Sequence, residues 1–186
     1  GLEFASGIPG SVGGAVVMNA GAYGSQMSDV ITQVWVLDQD GNELVLDADT
    51  MEFGYRDSVI KHYPFVVTKV CVSLELAEPA KIKQTMEELA LARRTKQPLE
   101  YPSAGSTFQR PKGHYAGELI MKAGLAGFQI GQAQVSEKHC GFVVNLGAAT
   151  AQDIYNLIQE VIARVKEHAG VTLEPEVIFL GEFART

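Results

Sequence analysis

The apolar period of this chain changes once, sharply, just before its midpoint. From Phe65 to Leu76 the pattern alternates: Val66, Val70, Val72, Leu74 and Leu76 share one face, while Lys69, Ser73 and Glu75 lie on the other. That is the signature of a half-buried strand. From Pro79 the spacing becomes helical. Ile82, Met86 and Leu89 form an apolar stripe that runs to about Lys96, with Pro98 as the stop. A period of two and a period of 3.6 cannot belong to one regular element. The change near Glu78 therefore divides the chain into a β-rich part, residues 1–77, and a mixed part, residues 78–186.

Within the first part, residues 1–28 are crowded with small residues and show neither a helical nor a strand period. So many glycines imply turns with positive φ, or close approach of the backbone to something else. Val30–Leu37 reads as a strand, Asp38–Asn42 carries the Asp-Gly hairpin signal, and Glu43–Leu46 returns. In the second part, residues 99–114 read as a polar loop, Tyr115–Lys122 as a short helix, and Val135 and Phe142–Asn145 as strands. Thr150 with Asp153 forms a capping box. It starts a helix with Ile154, Ile158, Val161 and Val165 on one face, which Gly170 ends before a last strand over Thr172–Leu180. The class is α+β.

Composition narrows the possible roles. With 46% apolar and 20% charged residues, the 186-residue chain can bury a core. A net charge of −7 with scattered cations argues against a nucleic-acid surface, which needs a clustered basic footprint. An anionic small ligand needs only two or three local cations. Cys71 and Cys140 are too few for a disulfide framework and read as reduced thiols. No apolar run approaches the ~18 residues that span a bilayer, and no signal-peptide pattern opens the chain. Gly1 is not an initiator, so the natural protein is expected to extend further toward its N-terminus.

Four segments could carry chemistry, and each also has a purely structural reading. Gly7–Gly14 and Asn19–Gly24 could offer consecutive N–H groups to an anion, or let a flat ring approach the backbone; they could equally be turns in a β-rich domain. The first run is not the dinucleotide fingerprint, since it does not follow a strand and open a helix at the needed spacing. Arg56, in Tyr55-Arg56-Asp57-Ser58, could grip a carboxylate or pair with Asp57 on the surface. Ser106, framed by small residues in Pro102–Pro111, could donate a proton or belong to an ordinary polar loop. Glu176 sits between apolar neighbours in Leu173–Val177, so it is either a buried acid or an outward-facing glutamate. Arg93, Arg94 and Lys96 complement a helix C-terminus or clamp a diphosphate. His139 and Cys140 lack a second pair at metal spacing, so no metal site is read.

Taken in order, these blocks resemble one family. GIPGSVGG and NAGAYG, then GYRDS, PSAGSTFQRP, AGLAGFQIGQAQVSEKHCGFVVN and LEPEV together resemble UDP-N-acetylenolpyruvoylglucosamine reductase along essentially the whole chain. The resemblance implies a partial vanillyl-alcohol-oxidase-type FAD-binding domain over residues 1–77, followed by a small α/β substrate-binding domain over 78–186. It also implies an activity: reduction of UDP-N-acetylglucosamine enolpyruvate to UDP-N-acetylmuramate for peptidoglycan, with FAD as cofactor and NADPH as hydride donor, in the bacterial cytoplasm. Ser106 then matches the proton donor, and Arg56 and Glu176 match the pair that stabilises the enolate-like intermediate. Ile8, Gly10, Ser11, Gly13, Gly14, Asn19, Gly21 and Tyr23 become cofactor candidates. Arg94, Lys96, Arg110, His139 and Asn145 become substrate candidates. The resemblance further implies an N-terminal flavin-binding part ahead of Gly1, without which the chain is expected to bind FAD poorly. Only Val59–Pro64 separates Ser58 from the next strand, as in the subclass without an inserted tyrosine loop. Two other readings stay open: a non-catalytic UDP-sugar-binding module, and a different flavin oxidase of the same fold.

Overall fold

The computed structural model describes residues 1–184. It forms two compact units, Gly1–Ala92 and Arg93–Thr186, and the division falls inside a helix.

The first unit is built on a three-stranded antiparallel sheet of order β4-β3-β5, with β3 at Ile31–Leu37, β4 at Glu43–Asp47 and β5 at Val66–Val72. The Asp38–Asn42 turn joins β3 to β4 as expected. Asp38 Oδ1 accepts the N–H groups of Asp40 (2.9 Å) and Asn42 (2.8 Å), which fixes the turn. The core is Phe4, Val16, Met27, Ile31, Val34, Val36, Met51 and Ile60.

The alternation expected along Phe65–Leu76 is broken by a bulge. Val36 faces Val67 while Trp35 faces Lys69, which leaves Thr68 as the extra residue. Val67 therefore turns to the core together with Val70 and Val72, and Val66 is 63% exposed. Leu74 and Leu76 lie past the end of the strand and are exposed. Lys69 Nζ sits 4.2 Å from the centre of the Trp35 ring.

The glycine-rich opening is not structureless. A six-residue helix α1 spans Val12–Val17, with Ser11 as its N-cap accepting the Gly14 N–H at 3.1 Å. It is too short to show a period, and its two glycines hide it from propensity; the fully buried Val16 anchors it. A two-stranded hairpin follows, β1 at Gly21–Ala22 and β2 at Ser25–Gln26. The turn expectation holds at Gly7, Gly10 and Gly24, and Asn19 and Tyr23 join them at positive φ. Helix α2, Pro79–Lys96, has the expected bounds. Its stripe does not join a core: no residue of α2 is buried, and Met86 is exposed.

The second unit holds a four-stranded antiparallel sheet of order β6-β9-β8-β7. Its strands are β6 Ser103–Ser106, β7 Gln129–Ile130, β8 Ala133–Val135 and β9 Phe142–Asn145. Helices α3, Ala116–Lys122, and α4, Ala151–Ala169, pack into its core, which Phe108, Leu125, Cys140 and Leu173 from the connections complete. The capping box on α4 is present, and Gly170 closes the helix at φ 69°. Leu157, Ile158, Val161 and Val165 are fully buried. At about 1.5–3 kcal/mol per buried aliphatic side chain they contribute roughly 6–12 kcal/mol, an upper figure.

Two expectations fail in this unit. The 99–114 loop contains β6, whose Ser-Ala-Gly-Ser sequence carries no strand propensity and is held only by pairing to β9. The last strand, Thr172–Leu180, reduces to a single bridge between Phe108 and Pro175. The bridge is flanked by the bonds of the Gln109 N–H to Glu174 O at 2.9 Å and of the Glu176 N–H to Thr107 O at 2.8 Å, and among the described residues the pairing goes no further. Both cysteines are free, Cys71 exposed and Cys140 buried; burial pushes the Cys140 thiol up from its ordinary value.

Candidate functional site

Two clusters gather the candidate residues, one in each unit. In the first, Asn19 is the joint. It is buried and sits at φ 41°, a left-handed conformation that asparagine tolerates better than most residues. Its Oδ1 accepts the Ser28 N–H at 2.9 Å, and its Nδ2 donates to Gly54 O at 2.9 Å and Gln26 Oε1 at 3.3 Å. The side chain is thus committed to protein groups, and the backbone N–H donates to Val16 O at 3.1 Å. Through Gly54 it holds the turn that carries Arg56.

That turn is closed by reciprocal bonds between Gly54 and Asp57, with Arg56 at φ 55°. The Arg56 guanidinium donates to Gly21 O at 3.0 Å, so Asn19, Gly21 and Arg56 are brought together. Gly21 is a glycine because of the hairpin: a Cβ there would lie 2.8 Å from Gln26 Cβ and Ser25 O. Asp57 does not pair with Arg56 as the surface reading supposed. Its partners are His62, 3.0 Å from Oδ2, and Lys61, 3.6 Å from Oδ1. The His62 contact, and more weakly the Lys61 ammonium, holds the Asp57 carboxyl below the usual carboxylate range. Ser58 Oγ donates to Val17 O at 2.8 Å and ties the turn to the end of α1.

The remaining cofactor candidates lie on exposed or half-exposed backbone. Gly10, Ser11 and Gly14 are exposed, Ile8 and Gly13 half-buried, and Tyr23 exposed at φ 55°. A Cβ at Gly10 would meet nothing within 4 Å, so no packing constraint accounts for that glycine. Its φ of 142° does require one.

In the second unit, Ser106 and Glu176 are brought together by a residue between them. Thr107 is 2% exposed; its N–H donates to Gly141 O at 2.8 Å, and its carbonyl accepts the Glu176 N–H at 2.8 Å. Ser106 pairs with Phe142 across the β6–β9 ladder, and its Oγ lies 3.4 Å from Phe108 O, a long contact. Glu176 is half-buried and flanked by partly buried Pro175 and Val177.

His139 belongs to the same cluster. Its Nδ1 accepts the Gly141 N–H at 3.1 Å, which places the ring proton of the neutral imidazole on Nε2. The ring meets Phe142 edge-on at 5.0 Å. A Cβ at Gly141 would lie 2.9 Å from His139 Cε1 and 3.7 Å from Ser106 Oγ, so that glycine keeps the three groups close. Asn145 Oδ1 is taken by the N–H groups of Gly147 (2.8 Å) and Ala149 (3.0 Å), leaving its Nδ2 for other partners.

Arg110 stacks on the Tyr115 ring at 4.1 Å and borders a hollow of about 380 Å³. Lys112, His114, Gln109 and Glu174 line the same hollow. Sequence reasoning passed over Lys112 and His114; the signal was two cations and a histidine within Arg110-Pro111-Lys112-Gly113-His114. Arg94 and Lys96 are exposed at the end of α2, and Arg94 O accepts a bond from Lys138 Nζ at 2.9 Å.

Known proteins match this layout. The family model for the C-terminal domain of UDP-N-acetylenolpyruvoylglucosamine reductase matches residues 97–180, and that for an FAD binding domain matches residues 1–47. The UDP-N-acetylenolpyruvoylglucosamine reductase of Caldanaerobacter subterraneus is 54% identical over 182 residues, covering 98% of this chain and 60% of that protein. That of Streptococcus pneumoniae is 53% identical with the same coverages. The crystal structure of the Thermus caldophilus reductase superposes with a TM-score of 0.82 at 40% identity, over 95% of this chain and 62% of the other. The chain belongs to the UDP-N-acetylenolpyruvoylglucosamine reductase family. It spans about 60% of the length of the curated relatives it matches.

The two family regions are thus an FAD-binding fragment and the reductase C-terminal domain, joined in one α+β chain. For a flavin, the fit rests on the first unit, on the exposed glycine backbone at Gly10 and Gly14. Ile8, Gly10, Ser11, Gly13 and Gly14 would hold it, and the arrangement suits a ring or phosphate that approaches backbone.

Proposed function

We propose that the full-length protein reduces UDP-N-acetylglucosamine enolpyruvate to UDP-N-acetylmuramate in bacterial peptidoglycan synthesis, and that it works in the cytoplasm. The observation that carries this reading is the pairing of the Ser106 strand with Glu176 through Thr107, in a chain of the reductase family. FAD, when bound, would supply hydride transfer from NADPH to the terminal carbon of the enolpyruvyl group. This chain's residues supply the rest. Ser106 Oγ gives its proton to the adjacent carbon, so that hydride and proton together saturate the double bond, and solvent restores the hydroxyl. Arg56 and Glu176 are the pair assigned to the negative charge that builds toward the substrate carboxylate: the guanidinium as a fixed cation, and Glu176 as a hydrogen-bond donor in its carboxylic-acid form; fixed groups act without reorganising at the moment of reaction. Arg110, with Lys112, offers positive charge to a diphosphate, and His114 a hydrogen-bonding ring; Arg94 and Lys96 add to the charge, and His139 and Asn145 are assigned to the sugar nucleotide through Nε2 and Nδ2. The short Val59–Pro64 connection supports the subclass without an inserted tyrosine loop.

The test is half-reaction kinetics on a chain of full relative length. Removing a proton donor costs about 10²–10⁴-fold. In Ser106→Ala, NADPH should still reduce the flavin, while reoxidation by substrate slows by about that factor. Unchanged reoxidation would refute the assignment. A second reading, a UDP-sugar-binding module, is favoured by the cationic hollow lying within one unit. Calorimetry separates the two: binding of UDP-N-acetylglucosamine without FAD supports the module, and a yellow, FAD-loaded protein supports the enzyme.

A further inference from the structure

We infer that Thr107 is a positioning residue that holds Ser106 and Glu176 in a single register. The inference rests on the function proposed above. Three bonds converge on Thr107. Its N–H donates to Gly141 O at 2.8 Å, its carbonyl accepts the Glu176 N–H at 2.8 Å, and its Oγ1 accepts the Val143 N–H at 3.0 Å. The first two are backbone bonds that many residues could make. The third needs a hydroxyl at this position.

Its importance comes from the ladder it completes. β6 and β9 pair at Ser103 with Val144 and at Ser106 with Phe142, with an irregularity between the two pairs. The strand is short, carries two serines and a glycine, and makes few regular rungs. The Thr107 hydroxyl bonds the β9 amide of Val143, which lies between the two paired residues, Phe142 and Val144, where the ladder is irregular; Thr107 and Val143 are both buried. A buried N–H that loses its acceptor must find another, and the backbone moves to let it. Here that motion would carry Ser106 on one side and, through the Thr107 carbonyl, Glu176 on the other. A displacement of about 1 Å in a reacting group can cost about 100-fold in rate. Thr107 touches neither substrate nor cofactor in this scheme; it acts through its neighbours.

The test uses a full-length, FAD-loaded protein and follows the two half-reactions separately. Thr107→Val keeps the shape and removes the acceptor. It should slow reoxidation by substrate about tenfold or more, with flavin reduction by NADPH changed much less. Thr107→Ser keeps the hydroxyl and should restore reoxidation to within about twofold of wild type. If wild type turns over and the Val variant reoxidises at the wild-type rate, the positioning role is overturned while the proposed function stands. If the Ser variant is as slow as Val, the hydroxyl is not the cause and the inference also fails. Should the Val variant not fold, the Ser variant alone decides. If wild type shows no substrate-dependent reoxidation, it is the proposed function that fails.

Discussion

Replacing Asn19 by alanine should be among the most damaging single changes in the first unit. The side chain makes two 2.9 Å bonds to backbone, one from Ser28 N–H and one to Gly54 O, in a site only 1% exposed. Each bond is worth about 0.5–1.5 kcal/mol, more if the partner is left unsatisfied. The residue also sits at φ 41°, where alanine costs about 1 kcal/mol more than glycine or asparagine. The sum is a loss of about 2–4 kcal/mol, a large share of the stability of a domain this size. Urea unfolding of the 186-residue chain, read at unchanged slope, measures it. Asn19→Gly separates the two causes: it removes the bonds but not the backbone fit, so it should be about 1 kcal/mol less harmful than alanine. A loss under about 1 kcal/mol in Asn19→Ala, or equal losses for alanine and glycine, would refute the reasoning.

Gly141→Ala should force the His139 ring aside, since the new Cβ would lie 2.9 Å from Cε1. The lost Gly141–His139 bond and the Phe142 contact predict about 1–3 kcal/mol by denaturation. Adding His139→Ala should make the Gly141→Ala step nearly neutral, and full additivity of the two losses would contradict the packing described. Asp57 has a lowered pKa in the fold, so its stabilising contribution is present above its unfolded value and is lost as pH falls through the lower folded one. Asp57→Asn should therefore be less stable than wild type near about pH 6, and the difference should shrink as pH falls below the ordinary carboxylate range, about 3.9; a difference that stays constant on acidification would show that the His62 and Lys61 contacts do not matter.

Several parts of this protein are written in short stretches of its sequence. The Thr150–Asp153 capping box, the apolar face of α4 and the Gly170 stop lie within one helix, so propensity and capping decide them and the structure follows. The same holds for the Asp38–Asn42 turn and for the bounds of α2. The order of the motif blocks pointed to the family, because such a resemblance depends on sequence alone.

What the chain could not show locally is set by partners far away in sequence. The bulge at Thr68 depends on the register against β3, and it moves the buried face from Val66 to Val67. β6 forms because β9, some forty residues later, offers it a ladder, not because Ser-Ala-Gly-Ser favours a strand. Asn19 is a joint whose partner, Gly54, is 35 residues on. Thr107 has its role only because the fold closes Gly141, Val143 and Glu176 around it. The physical reason is common to all four. A hydrogen bond is chosen by whichever group the tertiary structure brings within about 3 Å, and buried backbone groups must all be paired, so such roles appear only once the strands have met.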